Sequence, residues 1–137
     1  MYRTFKIPAM ESKITSNIRV TVVPSYDIKN SYPSDNRYVF RYNIFLENLG
    51  GAPVQLIKRS WLVYDIGYGF SHVEGDGVIG LTPEIFPTKD FGYFSNVVLR
   101  SGIGHMSGSY TFKNLLSGEL FQVEVPRFDL VTAVLAN

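Results

Sequence analysis

The chain has no cysteine in its 137 residues. That absence excludes disulfide scaffolds, cysteine-ligated zinc, iron–sulfur clusters and thiol catalysis. Histidine is scarce: His72 and His105 are the only two. No charge of one sign prevails, with 13 Lys+Arg against 12 Asp+Glu and a formal net charge of +1. No global field therefore draws in nucleic acid or anionic lipid, and only a local patch could do so. Long hydrophobic runs are missing too. The longest charge-free stretches, residues 91–99 and 101–112, are interrupted by Gly, Ser or Asn, so no membrane insertion is expected. Arg3, Lys6 and Pro8 break up any apolar run at the start, so a signal peptide is not expected. A cytoplasmic protein is the expectation.

The length fits one ordinary domain. Size scaling has about two-thirds of the unfolded surface buried on folding, which is core enough to need no staples. Hydrophobic residues make up 45% and charged residues 18%, which excludes global disorder. Aromatics reach 15%, with 10 Phe and 9 Tyr. Short runs of β-branched and aromatic residues alternate with turn residues every ten or so positions, the signature of an all-β sandwich or barrel.

The clearest period of two runs over residues 38–48. Phe40, Tyr42, Ile44 and Leu46 share one face, and Arg41, Asn43 and Glu47 the other; Val39 and Phe45 break the pattern. Residues 18–23 also alternate, and Pro24 predicts a strand end or a sheet edge there. Residues 27–37 read as a loop and 48–53 as a turn. Further strands are predicted over 54–65, 70–74, 91–99, 105–112 and 120–125. A last one follows over 128–135 after a kink at Pro126. That gives seven or eight strands and no helix. The expected core holds Phe40, Tyr42, Ile44, Leu46, Trp61, Met106, Tyr110, Phe112, Phe121, Val123 and Phe128.

Candidate chemistry is sparse. No Gly-x-Ser-x-Gly elbow occurs. His105, Ser107 and Ser109 would share a strand face, but at about 7 Å between alternate residues, too far for a ready His–Ser hydrogen bond. His72, Glu74 and Asp76 alternate as well and could offer nitrogen and oxygen ligands to a divalent cation, with Glu74 and Asp76 as the acidic pair. The plainer reading is an exposed hairpin end. Gly75-x-Gly77-x-x-Gly80 has the spacing of a dinucleotide fingerprint, but that mechanism needs a helix to begin within it. Val78, Ile79, Thr82 and Pro83 disfavour one. Two readings stay open: glycines serving tight turns or a bulge, or a phosphate loop acting through its amides. Lys58-Arg59 is the only adjacent basic pair. It stands near Trp61 and Tyr64, but Trp61 reads as core, so nucleic acid is not the expected partner.

Several ordered motifs resemble those of a known family. They are Asn48-Leu49-Gly50, Pro53-Val54-Gln55-Leu56 and Arg59-Ser60-Trp61 in the middle of the chain. Val73-Glu74-Gly75-Asp76-Gly77-Val78-Ile79-Gly80-Leu81-Thr82-Pro83 follows, close to the family's Glu-Val-x-Gly-x-Gly-Val-Val-Gly-x-x-Pro. Gly104-His105-Met106-Ser107-Gly108-Ser109-Tyr110 resembles Gly-x-Met-x-Gly-x-Tyr. Phe121-Gln122-Val123-Glu124-Val125-Pro126-Arg127-Phe128 resembles Phe-x-Val-x-Ile-Pro-x-Phe. These motifs resemble those of the ApaG family, and the likeness covers about residues 18–131. Ser60 departs from a His usual in bacterial members, Ser95-Asn96 from a Ser-Gly, and Pro87-Thr88-Lys89 from a Pro-Gly turn.

The resemblance implies an immunoglobulin-like or fibronectin type III-like β-sandwich of two antiparallel sheets and no established enzyme activity. It implies an association with cobalt and magnesium efflux. Related eukaryotic domains, in F-box proteins and a polymerase δ-interacting protein, imply protein–protein contact. The resulting expectation is a non-catalytic module over residues 15–135, with residues 1–14 as a tail or docking arm. Its expected partner is a protein, with homo-oligomers open. The alternative is a phosphate or nucleotide at Gly75, Gly77 and Gly80, without a resident cofactor but with a divalent cation as a bridge.

Overall fold

The computed structural model describes residues 10–132, and expectations placed on residues 1–9 and 133–137 lie outside the described residues. Among the described residues nine strands occur in chain order: β1 Glu11–Thr15, β2 Ile18–Tyr26, β3 Tyr38–Asn48, β4 Val54–Asp65, β5 Gly69–Asp76, β6 Glu84–Ile85, β7 Asp90–Leu99, β8 Ile103–Asn114 and β9 Leu120–Val131. Two single 3-10 turns, Ile28–Asn30 and Pro33–Asp35, are the only helical elements among the described residues. No helix there is long and apolar enough to cross a membrane.

The strands form two antiparallel sheets. One has the order β1-β2-β3-β7; the other has β5-β4-β8-β9, with two-residue β6 also paired to β4. Local hairpins join β1 to β2, β4 to β5 and β8 to β9. β3 pairs with β7 and β4 with β8 only after the chain has crossed between sheets. This is the Greek-key sandwich of the immunoglobulin and fibronectin type III class, extended by β1.

The period of two does what it predicts. Phe40, Tyr42, Ile44 and Leu46 are all buried between the sheets, facing Trp61, Met106, Tyr110, Phe112, Val123 and Phe128. Trp61 sits at the centre. Its ring is edge-on to Tyr42 at 5.5 Å, Tyr110 at 6.0 Å and Phe128 at 6.1 Å. Such edge contacts suit the aromatic quadrupole. Phe121 is only partly buried, stacked on Phe112 at 5.9 Å. The Tyr93 and Tyr110 hydroxyls, both buried, hydrogen-bond each other at 2.5 Å. Burial drives both phenols well above the usual tyrosine range.

Some strand limits differ from the sequence reading, for local reasons. Glu11–Thr15, most of which falls within the expected tail or docking arm of residues 1–14, is strand β1. Its side chains are largely exposed, so no alternation marks it, and it is held by backbone pairing to β2. At Pro24 the sheet edge, one of the two expected outcomes, is what occurs: β2 continues through it because its last β1 partner is Val22, opposite Glu11, and beyond that point one side of β2 needs no N–H. Pro126 does not divide β9 in two. Met106 pairs with Phe128 and Gly108 with Val125, so β9 takes an extra residue in a bulge that accommodates the proline.

One side of the sandwich is latched. Lys13 of β1 forms an ion pair with Glu124 of β9, and the Glu124 amide donates to the Thr15 hydroxyl. On the opposite side, β5 and β7 are the outermost strands of their sheets.

Candidate functional site

The glycine motif lies where β5 leaves the sheet. A bulge at Ile57 shifts the register of β4, after which Arg59 and Trp61 point inward while Lys58 and Ser60 point out. Arg59 stands opposite Gly75. Its guanidinium fills the space a side chain at Gly75 would occupy, since a Cβ there would lie 2.7–2.8 Å from it. From that position Nη1 donates to the carbonyls of Asp76 and Gly77, both at 3.0 Å.

Gly77 has a different task. Its φ is +59°, and a Cβ would meet the Leu81 carbonyl oxygen at 2.1 Å. Its amide donates to the bulge carbonyl of Ile57 at 2.7 Å. Val78 and Leu81 exchange two backbone hydrogen bonds of 2.8 Å. Ile79 and Gly80 between them have φ of +45° and +77°, the signature of a type I′ turn. Gly80 adopts that region freely; Ile79, β-branched, adopts it at a cost. The three glycines thus make room for an arginine, allow a close backbone approach and complete a turn. No helix follows them, so the dipole mechanism of the dinucleotide fingerprint has no counterpart here.

Glu74 and Asp76 are exposed on the outer face of β5, opposite Ser60 and Lys58. His72 lies on the same face. Its Nε2 is 2.8 Å from the Ser60 hydroxyl and 3.5 Å from Glu74 Oε1. Both partners meet the same ring nitrogen. A nucleophile–base–acid relay needs the acid on the other nitrogen, so this trio is not one. Among the described residues, no group of three or more His, Asp or Glu gathers to hold a metal ion. A shallow open groove of about 470 Å³ runs across this face, lined by Lys58, Ser60, Glu74, Asp76, Ser109 and Thr111 among others.

The Ser60–His72 pair escaped the sequence reading because it arises across strands, from the β4–β5 register. His105, weighed there against Ser107 and Ser109, instead stacks on Tyr64 at 5.0 Å with Phe70 edge-on at 6.1 Å. Desolvation holds its pKa below the usual histidine range; Arg127 lowers it further and Asp129 opposes.

Fold and loop together define a class: a fibronectin type III-like β-sandwich whose glycine motif forms an arginine-clamped strand end and a tight turn. A family model described as the ApaG domain matches residues 28–114. The chain belongs to the ApaG family. It is 40% identical over 121 residues to protein ApaG of Rhodospirillum centenum, covering 88% of this chain and 92% of that protein. With protein ApaG of Maricaulis maris it shares 42% identity over 113 residues, covering 82% and 86%. The crystal structure of an ApaA protein from Bordetella pertussis superposes with a TM-score of 0.81 at 31% identity, covering 93% of this chain and 98% of that one.

Proposed function

We propose that this chain is a non-catalytic binding module that takes up an extended segment of a protein partner along the free edge of β5. The observation that carries this reading is the exposure of β5. Seven of its eight residues are exposed, Gly75 alone being half-buried. Val73, on the inward side opposite Trp61, is still 45% exposed, so the facing sheet does not cover this strand. An edge of that kind offers its backbone groups to an added strand, and alternate side chains then select the sequence. Here those side chains are His72, Glu74 and Asp76, which suit a segment with Lys or Arg at alternate positions. On this reading, any part the chain takes in cobalt and magnesium efflux in the cytoplasm runs through that partner.

The test compares recovery from cell lysate by the parent chain and by Glu74→Lys/Asp76→Lys, whose changes are confined to exposed positions. The parent should recover a stoichiometric partner that protects β5 amides from hydrogen exchange, and the variant should lose it. Equal recovery by both, or protection that spares β5, overturns the proposal.

A second reading is a phosphate or nucleotide at Gly75, Gly77 and Gly80, bridged by a divalent cation to Glu74 and Asp76. Lys58, directly opposite Asp76 and lining the groove, favours it. The amides of Gly77, Val78 and Leu81 are already engaged, which leaves those of Ile79 and Gly80 as donors. Calorimetric titration with ATP should then give saturable heat only with Mg²⁺, weakened by Lys58→Ala. No heat at millimolar ATP removes this reading.

A further inference from the structure

We propose that two copies of this chain join edge to edge through β7, antiparallel, so that their four-stranded sheets merge into one across a two-fold axis at Ser95. The inference is independent of the β5 reading and concerns the other open edge.

β7 is a ten-residue outer strand. Free edges are normally guarded by charge, proline, bulges or shortness. Past its first residue, Asp90, β7 has none of these guards. Between Asp90 at its start and Arg100 just past its end, every residue is uncharged and none is proline. Its register with β3 is unbroken from Tyr38↔Leu99 to Glu47↔Asp90. On its outer face Phe94 is 50% and Val98 46% exposed, beside Phe45 of β3 at 46%. β5 contrasts with it: Glu74 and Asp76 would repel their own copies in a like-with-like pairing.

The charges choose the occupant and the register. Asp90 and Arg100 lie equally far from Ser95 in opposite directions along the chain. In an antiparallel pair centred on Ser95, each Asp90 falls opposite the other copy's Arg100, so two complementary pairs frame the seam. Within its own chain Asp90 has no cation at ion-pair distance among the described residues. Its β3 neighbour is Glu47, itself drawn to Arg19 at 3.3 Å. The Arg100 guanidinium makes no ion pair there either; it lies 5.3 Å from the Tyr68 ring. The same register sets Phe94 opposite Asn96 and Val98 opposite Gly92. The two Phe94 rings become diagonal neighbours on one face, within reach of each other, each with its own Arg41 guanidinium 3.6 Å from the ring centroid.

Sedimentation equilibrium of the full chain, from low micromolar to about 100 µM, tests this. The parent should approach twice its 15.5 kDa mass. Phe94→Lys, a change at an exposed position, should raise the dissociation constant at least about tenfold, because it places two cations across the seam. Asp90→Arg and Arg100→Asp should each weaken the dimer, and the double variant should restore it. Circular dichroism confirms that each variant is folded. A parent that stays monomeric throughout, a dimer indifferent to Phe94→Lys, or a double variant no better than the singles overturns the proposal.

Discussion

Gly104→Ala should sharply lower the stability of the domain. Gly104 on β8 pairs with Asp65 of β4, and the β4 backbone passes so close that an added Cβ would stand 1.9 Å from the Tyr64 carbonyl oxygen and 3.0 Å from Leu99 Cδ1. The first obstacle is main chain, which cannot swing aside as a side chain can. Relief requires β4 and β8 to part where they form the centre of the five-stranded sheet. A cost of about 3 kcal/mol or more follows, a large share of the roughly 5–15 kcal/mol that stabilises an ordinary domain. Gly108→Ala meets the same difficulty, with Ser60 O at 2.2 Å and Trp61 Cε3 at 2.9 Å. Gly51→Ala is the control, since nothing lies within 4 Å of its added Cβ. Urea melts followed by circular dichroism decide the matter. A Gly104→Ala protein as stable as the Gly51→Ala control would show that the two strands do not need that approach.

Trp61→Ala should cost about 3–5 kcal/mol, the range for emptying a large aromatic site in a packed core. Trp61 is 3% exposed and contacts rings from both sheets: Tyr42 from β3, Tyr110 from β8 and Phe128 from β9. Its removal therefore opens a void that no single neighbour fills. Trp61→Phe should recover part of the loss by keeping an aromatic edge against those rings. The measurement is the shift in thermal and urea midpoints by far-UV circular dichroism, because this is the only tryptophan. A loss below about 1 kcal/mol for Trp61→Ala would mean that the aromatic cluster is not the keystone its geometry indicates.

The two faces of β3 were readable because one is buried and the other meets water, so chemistry alternates with position. β1 has no such asymmetry, and its residues looked like tail. Pro24 sits at a sheet edge, as its missing N–H requires, where β2 has lost its outer neighbour. Pro126 ends no strand because β9 bulges there, a condition set by the register with β8 and not by the residues nearby. The spacing of Gly75, Gly77 and Gly80 was plain, but their tasks depend on what stands opposite: Arg59 across from Gly75, the Leu81 carbonyl against Gly77. His72 and Ser60 meet for the same reason, through register. Thr88 has φ of +69°, a region glycine takes freely and a β-branched residue adopts only at a cost.

The crossing connections between the sheets also govern the order of assembly. The hairpins β1–β2, β4–β5 and β8–β9 join neighbours in sequence and can form within microseconds. The pairs that complete the sheets bring Tyr38 to Leu99 and Val54 to Asn114, after a long chain segment has been closed into a loop. Such distant pairing places folding in the millisecond-to-second range. On a chain made from its N-terminus, β3 emerges well before β7, and β4 well before β8. The first sheet lacks its fourth strand until β7 has emerged. The second has no central ladder until β8 follows, so the domain closes late in its own synthesis.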